Sequence, residues 1–464
     1  MIQLRPYQTN IIQGVRNSIK QSHKNIILTA PTGAGKTVMF CYIISSAVAN
    51  KNRCLILTDR TELLTQSGGA LSNFDLEPIE ITPKLKGNIP YGPLYTAMAQ
   101  TLKRRLAKQE YIDLINDLDI IIIDEAHKQE FNTILPFISD KTIVIGATAT
   151  PLRESKQDSL DLFYTDIVSK VTISELIKNG YLSTPHTYGV EIDLKGIKTK
   201  GGDYDPFQMG KMYTETKLYK GVYENYQRLT PNKKALIFAS NVESSKALVK
   251  ELSERGLNIK HLDANSKNRT EILEWFENTP DALLSNVGIL NTGFDCPSVE
   301  VVILYRATKS LPLFLQMCGR GSRTTKTKKD FYILDFGNNI ERHGFWQEDR
   351  EWSLKKKVKR EGIAPIKICK PCGAINYATA KVCECCGLPL QKTKKEEHEE
   401  EIERLKKLNY NQVDKKNFNE LELYCEAKGY NKRWILHQLK TNEDIKRYAK
   451  YKGYANGWIQ RNQK

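Results

Sequence analysis

Residues 25–37 read NIILTAPTGAGKT, and this stretch decides the fold. NIILTA (25–30) is a short apolar run without period-two alternation, the pattern of a strand covered on both faces in a parallel sheet. It runs into a turn carrying Gly33 and Gly35 and then into VMFCYIISSAV, an apolar stretch of helical length. A strand, a Gly-rich turn and a helix start form a nest of backbone N–H groups at the positive end of a helix, where a polyphosphate binds. In that geometry Lys36 reaches the β- and γ-phosphates and Thr37 holds Mg²⁺. The general pattern opens with Gly where this chain has Ala30, but the strand-to-helix context is kept.

Working outward, RCLILT (53–58), DIIIID (119–124) and TIVIGA (142–147) are similar buried-strand runs, and with NIILTA they predict one doubly wound α/β unit. KALIFAS (234–240), NIKHLD (258–263), DALLSN (281–286), VEVVILY (299–305) and FYILDF (331–336) predict a second. The segment from Leu194 to Tyr213 is Gly-rich and weakly periodic, so it reads as a loop or hinge-side excursion. DIIIIDEAH sets Asp124 and Glu125 at the carboxyl end of a buried strand, where ligands of open α/β sheets collect. Asp124 is expected to hold Mg²⁺ and Glu125 to orient or deprotonate an attacking water.

The 464 residues suffice for about three domains at ~150 each. A hydrophobic share of 40% and a charged share of 27% exclude disorder as the dominant state. No apolar run approaches the ~18 residues of a membrane span, and MIQLRPYQTN lacks a secretory h-region. An intracellular protein, of the cytoplasm of a bacterium or a phage-infected cell, is expected. The formal charge is +16, and the stretch from Glu351 to Lys464 holds 26 Lys+Arg against 15 Asp+Glu, so most of the positive charge lies on the last quarter. An anionic polymer is the partner this suggests.

That last quarter contains CKPCG from Cys369 and CECCG from Cys383. Two C-x-x-C pairs, each followed by Gly, make two knuckles whose four thiolates close a tetrahedral shell, which points to structural Zn²⁺. The regular reading uses Cys369, Cys372, Cys383 and Cys386; Cys385 is then a spare thiol able to compete with Cys386. The run KKEEHEEEIERLKK (394–407) reads as a solvated helix. Beyond it, Y-x-x-x-K-G-Y-x-x-x-W-I occurs twice, from Tyr424 and from Tyr448. Its aromatics either pack a small helical module or stack bases.

Seven stretches, in order, resemble the motifs of superfamily 2 helicases and translocases over residues 1 to about 335: LRPYQ with Arg5 and Gln8, TAPTGAGKT, LTDRTELLTQ (57–66), DEAH, GATATP (146–151) with Thr148 and Thr150, GILNTGFDCP with Gly293 and Asp295, and QMCGRGSR with Gln316, Arg320 and Arg323. LIFASNVESS (236–245) resembles the opening motif of that family's second motor domain.

The resemblance implies α/β architecture with two tandem RecA-like doubly wound parallel-sheet domains, ATP as the nucleotide, adenine contact by Arg5 and Gln8, and nucleotide contacts by Gly33, Gly35, Gly293, Asp295 and Gln316. It implies catalysis by Lys36, Glu125 and the second-lobe arginines Arg320 and Arg323. His127 would link nucleotide state to neighbouring motifs. The layout is similar to RadD-like DNA repair helicases and phage DEAD/DEAH-box helicases, and the motor to restriction-enzyme translocase subunits, without a P-D...E-x-K nuclease signature. The expected domains are 1–185, 186–345, a zinc-binding element at 346–390 and a basic helical tail at 391–464. DNA, single-stranded, duplex or branched, is the expected partner. RNA, or a non-catalytic nucleotide-binding scaffold role, is the alternative.

Overall fold

The structure is a computed structural model, and it describes residues 3–59, 69–85, 87–153, 159–189, 194, 196–214, 216–290, 294–355, 366–390, 402, 404, 406, 413–414, 417–431, 433–439, 441–454 and 458. Contacts divide the chain into residues 1–375 and residues 376–464.

The first sheet has seven strands in the order β3-β4-β2-β5-β6-β1-β7. These are β1 (Asn25–Thr29), β2 (Cys54–Thr58), β3 (Ile79–Ile81), β4 (Leu94–Met98), β5 (Ile120–Asp124), β6 (Ile143–Thr148) and β7 (Asp166–Ser169), and every pair is parallel. Every residue of β2 and β5 is buried, as their unbroken apolar runs require when helices cover both faces. Register then positions the chemistry. Thr29 lies beside Thr148, and Asp124 beside Ala147, so the ends of β1, β5 and β6 form one carboxyl-terminal edge. In open α/β sheets, ligands bind outside that edge.

The second sheet, β12-β13-β11-β14-β15-β8, is also all parallel. It comprises β8 (Thr184–Gly189), β11 (Ala235–Ala239), β12 (Ile259–Leu262), β13 (Leu283–Asn286), β14 (Val301–Tyr305) and β15 (Asp330–Asp335). β8 runs across the boundary expected at 185/186, so this sheet begins at Thr184. Its Pro185 is tolerated because β8 is an edge strand.

Two stretches differ from their reading in sequence. The expected loop at 194–213 contains a hairpin, β9 (Thr199–Lys200) with β10 (Asp203–Tyr204), and a helix, Pro206–Tyr213. Asp205 caps that helix by accepting from the N–H groups of Phe207 and Gln208. Met209 and Tyr213 are buried, and Asp203 accepts from Thr308 Oγ1 at 2.7 Å and Lys309 N at 2.6 Å. Core packing, not helical periodicity, holds this segment. Residues 346–354 pack on the motor lobes rather than with the cysteines. Trp346 is fully buried and donates to Leu315 O at 3.2 Å, while Ser174 Oγ donates to Asp349 Oδ1 at 2.6 Å. Arg350 gathers the stretch by donating to the carbonyls of His343, Phe345, Trp346 and Glu348.

A two-stranded sheet joins β16 (Ile366–Ile368) and β17 (Ile375–Tyr377). Beyond it, the helices Phe418–Ala427, Arg433–Gln438 and Asn442–Lys452 enclose two small clusters, one around Leu421 and Tyr424 and one around Ile435, Ile445 and Tyr448. Most of the charge run at 394–407, and part of the second repeat copy, lie outside the described residues. Among the described residues no helix is long and apolar enough to cross a membrane.

Candidate active site

The helix Lys36–Ala49 starts directly after the Gly-rich turn, with Gly35 in a left-handed conformation (φ 76°) as its N-cap. A Cβ at Gly35 would lie 2.7 Å from Gln8 Nε2, so only glycine admits that side chain. Tyr7 Oη and Gln8 Nε2 both donate to Ala34 O, at 2.9 and 3.2 Å. Arg5 lies over the Tyr181 ring, 5.1 Å from its centroid. Of the pair expected at adenine, Gln8 is thus anchored on the phosphate loop itself and Arg5 on Tyr181. Lys36 Nζ donates to Ala30 O at 3.4 Å, and burial lowers its pKa against the pull of Glu125 and Asp124.

Asp124 ends β5, and Glu125 follows with φ 51°, a left-handed conformation that strains a side chain as large as glutamate. Burial and the adjacent Glu125 charge push the Asp124 carboxyl up to about 7, offset in part by Lys36. Burial also acts upward on Glu125, but Lys36, His127, Lys128 and Arg320 outweigh it and hold that carboxyl below its ordinary value. Glu125 Oε2 is buried without a hydrogen-bond partner among the described residues. Two buried carboxylates beside Lys36 are the donor type that a divalent cation takes.

Around this pair, His127 Nδ1 is 2.8 Å from Thr148 Oγ1, which in turn accepts from Thr150 N at 3.1 Å. That bond joins DEAH to GATATP. Lys128 pairs with Asp59, the last described residue of LTDRTELLTQ before 60–68. Arg153 was not singled out in the sequence. It donates to the carbonyls of Ala126, His127 and Lys128 at 3.0, 2.9 and 2.9 Å, stapling the loop that carries Glu125. A donor to backbone carbonyls leaves no side-chain pattern to find.

The second lobe closes on the phosphate loop. The helix Leu311–Cys318 ends at Gly319, where a Cβ would fall 2.6 Å from Thr32 Cβ. A Cβ at Gly33 would fall 3.0 Å from Ser322 Oγ. Arg320 is buried, donates to Phe294 O, and lowers the pKa of both Lys36 and Glu125, so its charge is felt across the cleft. Arg323 Nη1 lies 2.6 Å from Asp295 Oδ1. Gln316 is buried, and its Nε2 has no hydrogen-bond partner among the described residues. Gly293 lies outside the described residues.

In the cysteine element, the Sγ atoms of Cys369, Cys372, Cys383 and Cys386 all lie within 4.8 Å of one another, a group that can hold a metal ion. The two knuckles repeat one geometry. Gly373 N donates to Cys369 O at 2.7 Å and Gly387 N to Cys383 O at 2.9 Å. Cys385 is exposed and is not one of the four.

Two family profiles match the chain: "Type III restriction enzyme, res subunit" over residues 1–153 and "Helicase conserved C-terminal domain" over residues 217–325. The chain is similar to a 51.5 kDa protein of a Lactococcus phage, at 30% identity over 78% of this chain and 77% of the phage protein. It is similar as well to a protein named as a candidate ATP-dependent helicase, IRC3, of Saccharomyces cerevisiae, at 30% identity over 72% of this chain and 51% of the yeast protein. It thus spans three quarters of one relative and half of the other. Among solved structures, an HsdR-subunit fragment of a type I restriction enzyme from Vibrio vulnificus superposes with a TM-score of 0.59 at 22% identity, covering 74% of this chain and 67% of that one. The chain belongs to the superfamily 2 helicases, a family of ATP-hydrolysing enzymes. Its two parallel sheets are that family's tandem RecA-like domains.

Proposed function

We propose that the chain is an ATP-dependent DNA helicase or translocase that hydrolyses ATP between its two lobes and spends the closure on moving along or remodelling DNA, in repair, recombination or phage replication. The observation that carries this reading is the meeting of Gly319, Ser322 and Arg323 with the phosphate loop, since parts from both lobes then surround one polyphosphate site. In it the turn at 33–36 holds the β- and γ-phosphates, Lys36 neutralises them, and Glu125 orients the attacking water. Arg320 and Arg323 meet the charge that develops on the γ-phosphoryl oxygens. Mg²⁺, held by Thr37 and Asp124, supplies charge neutralisation at the phosphates when bound. Arg5 and Gln8 border the adenine, while Asp295, Gly293 and Gln316 complete the nucleotide contacts from the second lobe.

His127, bonded to Thr148, passes the state of that site toward the nucleic-acid side. Zn²⁺, held by Cys369, Cys372, Cys383 and Cys386, is a structural ion, because four thiolates leave no open position. DNA is favoured over RNA by the restriction-enzyme description of the amino-terminal profile, while the positive charge of the last quarter suits a polyanion. Contacts to phosphate dominate such binding, so affinity falls steeply with salt.

The test is ATP turnover with no nucleic acid and with single-stranded, duplex and branched DNA and single-stranded RNA. Stimulation by DNA is expected, and its absence on every substrate overturns the reading. Glu125→Gln separates a motor from a scaffold: a motor keeps ATP binding and loses turnover.

A further inference from the structure

The repeat in the last quarter lies outside the motor motifs in sequence. Its two copies lie 24 residues apart and fold alike over the residues described. The first aromatic of each copy is core, with Tyr424 3% and Tyr448 6% exposed. Each helix then stops at a glycine in the left-handed region, Gly429 (φ 68°) and Gly453 (φ 70°). The next N–H, that of Tyr430 or of Tyr454, donates five residues back, to Cys425 O and Ala449 O, at 2.9 Å in both copies. This is a Schellman-type stop. It turns the second tyrosine out of the core, and Tyr430 is 45% and Tyr454 41% exposed.

Neither exposed ring stands alone. Tyr430 lies against Trp434 with ring centroids 5.0 Å apart and planes inclined by 34°, and Tyr454 against Trp458 at 4.4 Å and 39°. A ring held from behind by a tryptophan offers one open face and has already lost much of the rotamer freedom that binding would otherwise cost. The surroundings are basic. Residues 417–464 hold ten Lys+Arg against five Asp+Glu, and Arg433, Lys446, Arg447 and Lys450 are exposed. Flat aromatic faces among cations suit a chain of alternating flat bases and phosphates. Both halves of the repeat are thus accounted for, the first tyrosine by packing and the second by an unfilled stacking face.

We propose that Tyr430 and Tyr454 are a pair of stacking platforms for bases of single-stranded DNA, making this helical module a DNA-binding site separate in sequence from the motor motifs. The proposal rests on the nucleic-acid reading above and adds the residues, the strand state and the mode of contact. Stacking on a ring requires no hydroxyl and no particular base, so the site is indifferent to sequence and prefers unpaired strands.

The test uses the full chain and an oligo-dT probe. Y430A combined with Y454A is expected to weaken binding at least about tenfold, while Y430F with Y454F binds as the parent does. The loss is smaller on blunt duplex, whose bases are already stacked. Independently of any variant, a 5-bromodeoxyuridine oligonucleotide irradiated with the unaltered chain is expected to crosslink to Tyr430 or Tyr454. Equal oligo-dT binding by the double alanine variant, with crosslinks confined to other residues, overturns the proposal while leaving DNA-stimulated ATP turnover intact. Equal losses on duplex and single strand overturn it too, as does a tyrosine dependence seen with oligo-rU and not with oligo-dT. If the unaltered chain binds no nucleic acid and its turnover ignores DNA, the functional reading itself falls.

Discussion

Arg323 Nη1 lies 2.6 Å from Asp295 Oδ1, so the guanidinium assigned to the γ-phosphate is engaged by a carboxylate of its own lobe. The same side chain passes close to the phosphate loop, its Cγ 3.7 Å from where a Gly33 Cβ would stand. An arginine near its target but held by a neighbour can be handed over when the terminal phosphate arrives. The Asp295 side chain is 46% exposed, so the pair contributes at most about 1 kcal/mol. Asp295→Asn is therefore expected to raise ATP turnover without DNA by up to roughly fivefold and to shrink the ratio gained on adding DNA. Steady-state rates at saturating ATP measure this. A fall in turnover with a higher KM would instead make Asp295 a nucleotide contact alone.

Arg153 donates to three consecutive carbonyls of the loop that follows Glu125. Arg153→Ala leaves those groups to water and is expected to lower unfolding stability by about 2 kcal/mol. Because the stapled loop carries Glu125 and His127, turnover should drop more than ATP affinity. Denaturant unfolding alongside nucleotide titration separates the two effects. Unaltered turnover in a destabilised protein would reduce Arg153 to a packing role.

The buried carboxylates set a pH dependence. With no divalent cation, burial and Glu125 hold the Asp124 pKa at about 7, so the pair carries a proton below that pH and is fully charged above it. A cation must displace this proton when it binds at low pH. Mg²⁺ affinity is thus expected to weaken as pH falls through about 7, with close to one proton released per ion at pH 6 and almost none at pH 8. Calorimetry in buffers of different ionisation enthalpy reads the proton count. Equal release at both values would contradict the placement of the proton on Asp124.

The cysteine element separates neighbouring thiols. Cys383 belongs to the group of four and Cys385 does not. Cys383→Ser is expected to abolish bound zinc, and Cys385→Ser to leave one ion per chain. Metal analysis after gel filtration decides this, and zinc loss from Cys385→Ser alone would reassign the ligand.

Much of this was legible in the sequence because buried parallel strands leave unbroken apolar runs. IIIID and CLILT fall within one residue of their expected starts. Strands of mixed composition escaped: TPHTYG (β8) combines polar residues with a proline and buries only Thr187 and Tyr188. The helix Pro206–Tyr213 escaped because three large side chains dock it, Tyr204 just before it and Met209 and Tyr213 within it, and its length is too short for a clear period. At the site, residue types and spacing were readable. The left-handed conformation of Glu125, the grip of Arg153 and the return of Trp346–Arg350 onto the motor were not, because backbone geometry and side-chain-to-carbonyl bonds impose no repeating pattern.

Whether parts of both lobes act on one phosphoryl group is decided by the rate of ATP turnover of Arg323→Ala in saturating single-stranded DNA. A fall of about a thousandfold or more relative to the unaltered chain is expected, with ATP binding retained. Turnover equal to that of the unaltered chain would contradict it.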